Sequence, residues 1–99
     1  MSRVLIIEPE AEAEIAESAD WYEERNPVAR TGFLSALDRS LHLIRERPEQ
    51  YQIVYRQTRR ALLDGYPYAL FYKVTESQII IVSCFHTSRN PKSWRDRLR

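Results

Sequence analysis

Apolar residues recur at the spacing of an α-helix in two stretches of the N-terminal half. The first stripe contains Ala11, Ile15, Ala19 and Tyr22. The second stripe contains Phe33, Leu37, Leu41 and Ile44. Pro9 and Pro27 stand at the start of the two stretches, where proline favours the first turn of a helix. Because only residues 25–27 connect the stretches, the pattern predicts a helical hairpin.

The rest of the chain has the pattern of β-strands. A short apolar run at residues 3–7 precedes the first helix. After Tyr51 the apolar period changes to two, which is typical of strands. The alternating runs occupy residues 53–56, 59–63 and 68–74. The run from Ile79 to Phe85 is apolar on both faces, which predicts a strand with a neighbour on each side.

Turn and helix signals complete the predicted topology. Asp64-Gly65 and residues 75–78 have the composition of turns, and Asn90-Pro91 begins a last short helix. The order β-α-α-β-β-β-β-α predicts a single α+β domain over residues 1–99. Its N-terminal strand is followed by a helical hairpin packed on one face of a mostly antiparallel sheet, and a short C-terminal helix ends the chain. We expect Gly32, early in the second helix, to permit a close approach of the two helices.

Length and composition limit the functional class. The chain has 99 residues, of which 43% are hydrophobic, and this fits one domain. The longest apolar run is too short to span a membrane, and the N-terminus has no signal-peptide pattern. The single cysteine, Cys84, cannot form an internal disulfide and is expected to be inert within the core. These features predict a cytoplasmic protein with no membrane partner.

The net charge of +1 hides an asymmetry along the chain. Residues 1–50 carry 6 basic and 11 acidic side chains, whereas residues 51–99 carry 9 basic and 3 acidic ones. Such an acidic half and basic half predict two faces that meet different partners.

The basic residues cluster where the last predicted strand stops. His86 ends that strand, Arg89 follows it, and Arg60 stands in an earlier strand. We expect these three side chains to converge on one wet, cationic pocket beside the sheet, which would suit a phosphate-bearing or acidic partner. Each could instead be structural: His86 could bond a neighbouring backbone group, Arg89 could pair with a carboxylate, and Arg60 could be an ordinary edge-strand residue.

The sequence contains no recognisable metal or nucleotide motif. No Cys/His spacing resembles a zinc site, and no glycine-rich loop could hold a nucleotide phosphate. We therefore predict no metal and no cofactor.

Several short motifs, in order, resemble a known family. They are the D-W-Y of the first helix, Arg60 before A-L-L, Y-P-Y-A-L-F-Y-K-V in a strand, and H-T-S-R-N-P-K-S-W after the last strand. Together they resemble the RelE/ParE superfamily of bacterial toxins from type II toxin–antitoxin systems. The likeness is to the ParE-like branch of plasmid stabilisation proteins in particular, and it covers nearly the whole chain.

The resemblance implies a cytoplasmic toxin that inhibits growth and is neutralised by a cognate antitoxin in a hetero-oligomer. ParE-like members act on DNA gyrase and are not known to cleave anything, whereas RelE-like members cleave messenger RNA on the ribosome. The fold does not decide between them. A gyrase poison is the leading interpretation, a ribosome-dependent endoribonuclease is the alternative, and a non-toxic relative that still binds antitoxin is a third.

These interpretations assign different residues. For a gyrase poison, the expected target-binding residues are Arg56, Arg59, Tyr72, Arg95 and Arg97. Tyr72 also alternates with apolar residues, as a core residue would.

For an endoribonuclease, the catalytic residues would be His86, Arg89 and Arg60. Cleavage through the 2′-OH needs a base, an acid and cations near the phosphate. Under every interpretation, an amphipathic helix or an extended strand of the antitoxin is expected along the helical hairpin and the sheet edge.

Overall fold

A computed structural model describes residues 3–88 and 95–96 of the chain. Its elements in order are β1 (Val4–Ile7), α1 (Pro9–Arg25), α2 (Pro27–Glu46), β2 (Ile53–Tyr55), β3 (Thr58–Leu62), β4 (Tyr68–Val74) and β5 (Gln78–His86). This order confirms the predicted α+β fold. The predicted C-terminal helix lies outside the described residues except at Arg95 and Asp96, which are helical.

The five strands form one sheet in the order β1-β5-β4-β3-β2. Strand β1 runs parallel to β5, and the other neighbouring pairs are antiparallel. The sheet is therefore mostly antiparallel, as predicted. Strand β5 lies between β1 and β4, which explains why its sequence is apolar on both faces.

One residue, Asn26, ends the first helix and begins the second. Its backbone N–H donates to the carbonyl of Tyr22, and its side-chain Oδ1 accepts from the N–H groups of Val28 (3.1 Å) and Ala29 (3.3 Å). These bonds satisfy donors that a helix start otherwise leaves unpaired. The cap allows α2 to fold back on α1 without a longer loop.

The main core lies between the helical hairpin and one face of the sheet. Its fully buried members include Ala11, Phe33 and Ile44 from the helices and Leu70, Tyr72, Ile79 and Ile81 from the strands. A smaller cluster of Ala69, Phe71, Val82 and Phe85 lies on the opposite face of the sheet. The hairpin thus covers one face only, as the sequence predicts. Within the described residues, no helix has the length and apolar character needed to cross a membrane.

Gly32 lies against a tyrosine and not against the first helix. The prediction that this glycine permits a close approach of the two helices is therefore wrong. A Cβ atom at position 32 would overlap the hydroxyl of Tyr66, which stands in the loop between β3 and β4. That hydroxyl donates to the carbonyl of Ala29, at 3.0 Å. The glycine therefore lets this loop dock on α2.

Replacing Gly32 with alanine should lower the free energy of unfolding by about 1–3 kcal/mol, because the methyl group collides with the Tyr66 hydroxyl. Denaturant unfolding measures this. In a Tyr66→Phe background the hydroxyl is gone, so the same substitution should cost clearly less. Ser35→Ala, at an exposed position of α2, is the matched control and should change stability little. Equal costs of Gly32→Ala in both backgrounds would contradict the assignment.

Candidate functional site

His86 is the last residue of β5, and its ring lies on the face of the sheet that carries the helices. It pairs across the ladder with Tyr68, and the two rings meet edge-on with their centroids 5.1 Å apart. The N–H of Ser88 donates to His86 Nδ1 at 3.1 Å, and the Ser88 hydroxyl lies 2.7 Å from the same nitrogen. Since Nδ1 accepts, the neutral ring carries its proton on Nε2.

The His86 ring lies in a groove of about 620 Å³ between α1 and the end of the sheet. This α1–β5 groove is lined by Glu14, Glu17, Trp21, Tyr68, Cys84 and His86, among others. No lysine or arginine of the described residues lines it. The described surroundings of His86 are therefore acidic and aromatic, and the expected cationic pocket is not found among the described residues of this groove.

Glu14 connects α1 to β5 through two hydrogen bonds. Its Oε1 accepts from the Ser83 hydroxyl at 2.9 Å and from the backbone N–H of Cys84 at 3.0 Å. Because α1 contains many acidic residues, the sequence does not distinguish Glu14 from the solvated carboxylates of the same helix. Its spacing could have revealed it, because Glu14 stands between buried Ala11 and buried Ser18 on the same side of the helix.

Cys84 lies at the bottom of the groove and is 3% exposed. Burial, and secondarily the nearby Glu14 carboxylate, raise the pKa of its thiol from 9.0 to about 12. Such a thiol stays protonated near neutral pH and is a poor nucleophile. This agrees with the expectation of an inert cysteine.

Arg60 and the His86 ring lie on opposite faces of the sheet. Arg60 pairs with Phe71, whereas His86 pairs with Tyr68, and these partners are three positions apart on β4. Side chains of a strand alternate between faces, so an odd separation places them on opposite sides. Both residues border a pocket of only about 40 Å³ at the end of the sheet. The predicted convergence is therefore not found for this pair, and Arg89 lies outside the described residues.

Two of the predicted target-binding residues have internal partners instead. Tyr72 is 0% exposed and its hydroxyl donates to the carbonyl of Pro48, so the prediction that it binds a target is wrong. The Arg59 guanidinium donates to the carbonyls of Glu49 (3.0 Å) and Tyr51 (2.6 Å). Both side chains fasten the segment between α2 and β2 onto the sheet.

The exposed arginines lie away from the α1–β5 groove. Arg56, between β2 and β3, has a positive φ of 53° and its guanidinium lies 5.3 Å from the centre of the Tyr55 ring. Arg60 and Arg95 are also exposed, and Arg97 lies outside the described residues. Among residues 3–88 and 95–96, no group of three or more His, Cys, Asp or Glu side chains is arranged to hold a metal ion.

The Tyr72 hydroxyl should make stability depend on alkaline pH. Burial raises the pKa of Tyr72 from 10.0 to about 12, although Arg59 opposes this shift. The folded state therefore binds more protons between these values, so the free energy of unfolding should be fully retained below pH 10.0 and fall as pH rises towards about 12. Tyr72→Phe should remove this part of the fall and, near neutral pH, cost about 1 kcal/mol for the lost hydrogen bond.

Urea unfolding over this pH range measures both effects. The comparison is best made with and without Tyr72→Phe in a Cys84→Ala background, because the raised pKa of the thiol adds its own alkaline dependence. Identical pH profiles for the two proteins would contradict the role given to Tyr72.

Comparison with known proteins supplies the family. The family model described as "ParE toxin of type II toxin-antitoxin system, parDE" matches residues 5–91. A search of curated proteins finds no match. Among solved structures, the "Chromosomal ParDE TA system from P. aeruginosa" is similar, with a TM-score of 0.78 and 14% sequence identity. The match covers 88% of this chain and 98% of that chain. At this identity the structural likeness concerns the fold. With the family model matching most of its length, the chain belongs to the ParE toxin family of type II toxin–antitoxin systems.

Proposed function

We propose that the protein is a cytoplasmic toxin that poisons DNA gyrase and is neutralised by a cognate antitoxin. The family match over residues 5–91 carries this proposal. The structural neighbour is named as a ParDE toxin–antitoxin system, which supports an antitoxin partner for this chain as well.

The geometry around His86 favours a binding mechanism over RNA cleavage. Cleavage needs a base, an acid and cations arranged around one phosphate. Here the His86 ring shares its groove with the carboxylates of Glu14 and Glu17, and these repel a phosphate group. Of the two predicted cations, Arg60 is directed to the other face of the sheet, and Arg89 lies outside the described residues.

The proposed target-binding surface consists of the exposed arginines outside the groove. Arg56 and Arg60 form no ion pair with any residue of the described part of the chain, and Arg95 is exposed near the C-terminus. Guanidinium groups in such positions suit an acidic or phosphate-bearing surface. We propose Arg97 as a further member on the basis of the sequence. We keep Arg59 among the proposed target-binding residues only because of its position in β3. Its guanidinium is already bound by backbone carbonyls.

A supercoiling assay with purified gyrase tests the proposal. The protein should inhibit supercoiling, and Arg56→Glu should weaken inhibition by about tenfold, because a cation at an electrostatic interface becomes a like charge. Arg45→Glu, an exposed charge reversal on α2, is the matched control and should inhibit as the wild type does. Gyrase that stays active with the toxin in excess would refute the proposed target.

One observation favours the alternative of a ribosome-dependent endoribonuclease. The backbone N–H of Ser88 donates a hydrogen bond to Nδ1 of His86. Nε2 of the neutral ring therefore carries a proton that could pass to a leaving oxygen. This alternative expects message cleavage in a translating extract and its loss on His86→Ala. Transcripts that remain intact with the wild-type protein would eliminate it.

Induced expression in a bacterial host without antitoxin tests toxicity itself. We expect growth to stop under either mechanism, and growth should resume when the antitoxin is co-expressed. Unimpaired growth would favour a family member that has kept the fold and lost its toxicity.

The antitoxin is proposed to lie along the helical hairpin and the sheet edge formed by β1. A groove of about 780 Å³ opens there, and its apolar lining includes Leu5, Ile7 and Leu41. These side chains are half-buried in the described structure. An amphipathic helix or an extended segment could cover them.

A further inference from the structure

The two outer strands of the sheet differ in how they are protected against pairing with another chain. Strand β2 has an irregular register with β3 and is followed by Arg56, at a positive φ of 53°. Irregularities and charges of this kind hinder further strand pairing. Strand β1, V-L-I-I, has an uninterrupted register with β5 and contains no charged residue, proline or glycine. Strand β1 therefore has none of these protective features.

The hydrogen bonds of β1 show which of its backbone groups point away from the sheet. The N–H groups of Val4 and Glu8 donate to carbonyls of residues 77–81, at 3.0 Å each. The backbone groups of successive residues in a strand point to alternate sides, so those of Leu5 and Ile7 are directed away from β5. Among the described residues, no other strand pairs with β1 on that side. Its outer edge is therefore open.

Two exposed apolar side chains lie along this edge. Val4 is 62% exposed and Ile6 is 37% exposed. Leu5 and Ile7 pack against the main core, so alternation places Val4 and Ile6 on the face of the sheet without the helices. An uncharged, apolar edge strand is a template for pairing with another strand. This edge is therefore suited to an occupant that offers both backbone groups and apolar side chains.

The sequence of β1 is suited to pairing with itself. In an antiparallel arrangement about a two-fold axis, the outward-directed residues form the hydrogen-bonded pairs. A register with Leu5 opposite Leu5 of the second copy sets Val4 of each copy opposite Ile6 of the other, so each exposed apolar side chain gains an apolar partner. A register centred on Ile6 would instead set Val4 opposite the exposed Glu8. The first register is therefore favoured.

The groove beside this edge contains charges of both signs. Its volume is about 780 Å³, and its charged lining includes Glu12, Asp38, Arg39 and Arg45. A two-fold interface brings the same surface of both copies together, so a lining of one sign would repel itself. The mixed lining avoids this repulsion, and a second copy is therefore electrostatically compatible with this edge.

We propose that the free protein self-associates through β1, so that two sheets join into one continuous sheet across a two-fold axis at Leu5. This inference goes beyond the proposed function and does not depend on the target. The antitoxin is proposed to cover the same edge, so the dimer and the toxin–antitoxin complex would exclude each other. The shared ladder is short, and a reversible dimer with micromolar affinity is expected.

Sedimentation equilibrium over about 1 to 100 μM protein tests the self-association. The wild type should move from the monomer mass of 11.8 kDa towards twice that mass as the concentration rises. Val4→Lys should weaken the dimer by about tenfold or more, because each dimer loses two apolar cross-strand pairs. Val28→Lys makes the same change at a 79% exposed position of α2 and should leave the dimer unchanged. A wild type that stays monomeric over the whole range, or equal effects of the two variants, would overturn the proposal.

Cysteine cross-linking tests the register independently. Val4→Cys and Ile6→Cys are made separately in a Cys84→Ala background, and the two proteins are mixed under mild oxidation. The proposed register makes these positions a non-hydrogen-bonded pair, whose Cα atoms are about 4.5 Å apart and can be joined by a disulfide. The mixture should therefore form a cross-linked dimer with one copy of each variant.

Two comparisons decide the outcome of the cross-linking. Ile6→Cys alone should link much less than the mixture, because Ile6 does not face itself in the proposed register. A mixture of Ile6→Cys with Val28→Cys, in the same background, gives the level of random collision. Stronger linking of Ile6→Cys to itself than to Val4→Cys, or linking of the main mixture only at the collision level, would overturn the proposal.

Discussion

The unequal lengths of β1 and β5 determine the character of the site. Strand β1 has 4 residues and β5 has 9, so the parallel ladder ends long before β5 does. The chain leaves the sheet at Pro9 and returns over it as α1, which brings Glu14 to the backbone of Cys84. A helix side chain thus replaces a missing strand at one position. The groove and its acidic lining lie where that replacement stops.

The alternation of side chains between the two faces of a strand is the second constraint. It separates residues that the sequence analysis expected to converge. His86 faces the helices and contacts Tyr68, whereas Arg60 shares the other face with Phe71. One sheet therefore presents an acidic, aromatic groove on one side and the exposed Arg60 on the other. The opposite charges of the two halves of the sequence are consistent with this division, as expected for a protein with two different interaction surfaces.

Much of the fold could be predicted from the sequence, because each element carries a local signal. Pro27 and the short connection at residues 25–27 predict the helical hairpin, and the apolar run of Ile79–Phe85 predicts a strand with neighbours on both sides. The site was harder to predict because it depends on register. A shift in pairing of one residue would have put Arg60 on the same face as His86. The predictions for Tyr72 and Gly32 were wrong for a related reason. Their partners, Pro48 and Tyr66, stand in loops, and the path of a loop has no periodic signal in the sequence.

The docking of Tyr66 on α2 links two distant parts of the molecule. The residue after it, Pro67, accepts the N–H of Thr87 through its carbonyl and lines the α1–β5 groove. A short chain of contacts therefore connects the surface of α2 beside Gly32, through the β3–β4 loop, to the backbone that follows His86. Sequence variation in α2 beside Gly32 could tune how firmly that end of β5 is held without altering a residue of the α1–β5 groove. Related toxins could in this way diverge in binding behaviour while their contact surfaces stay the same.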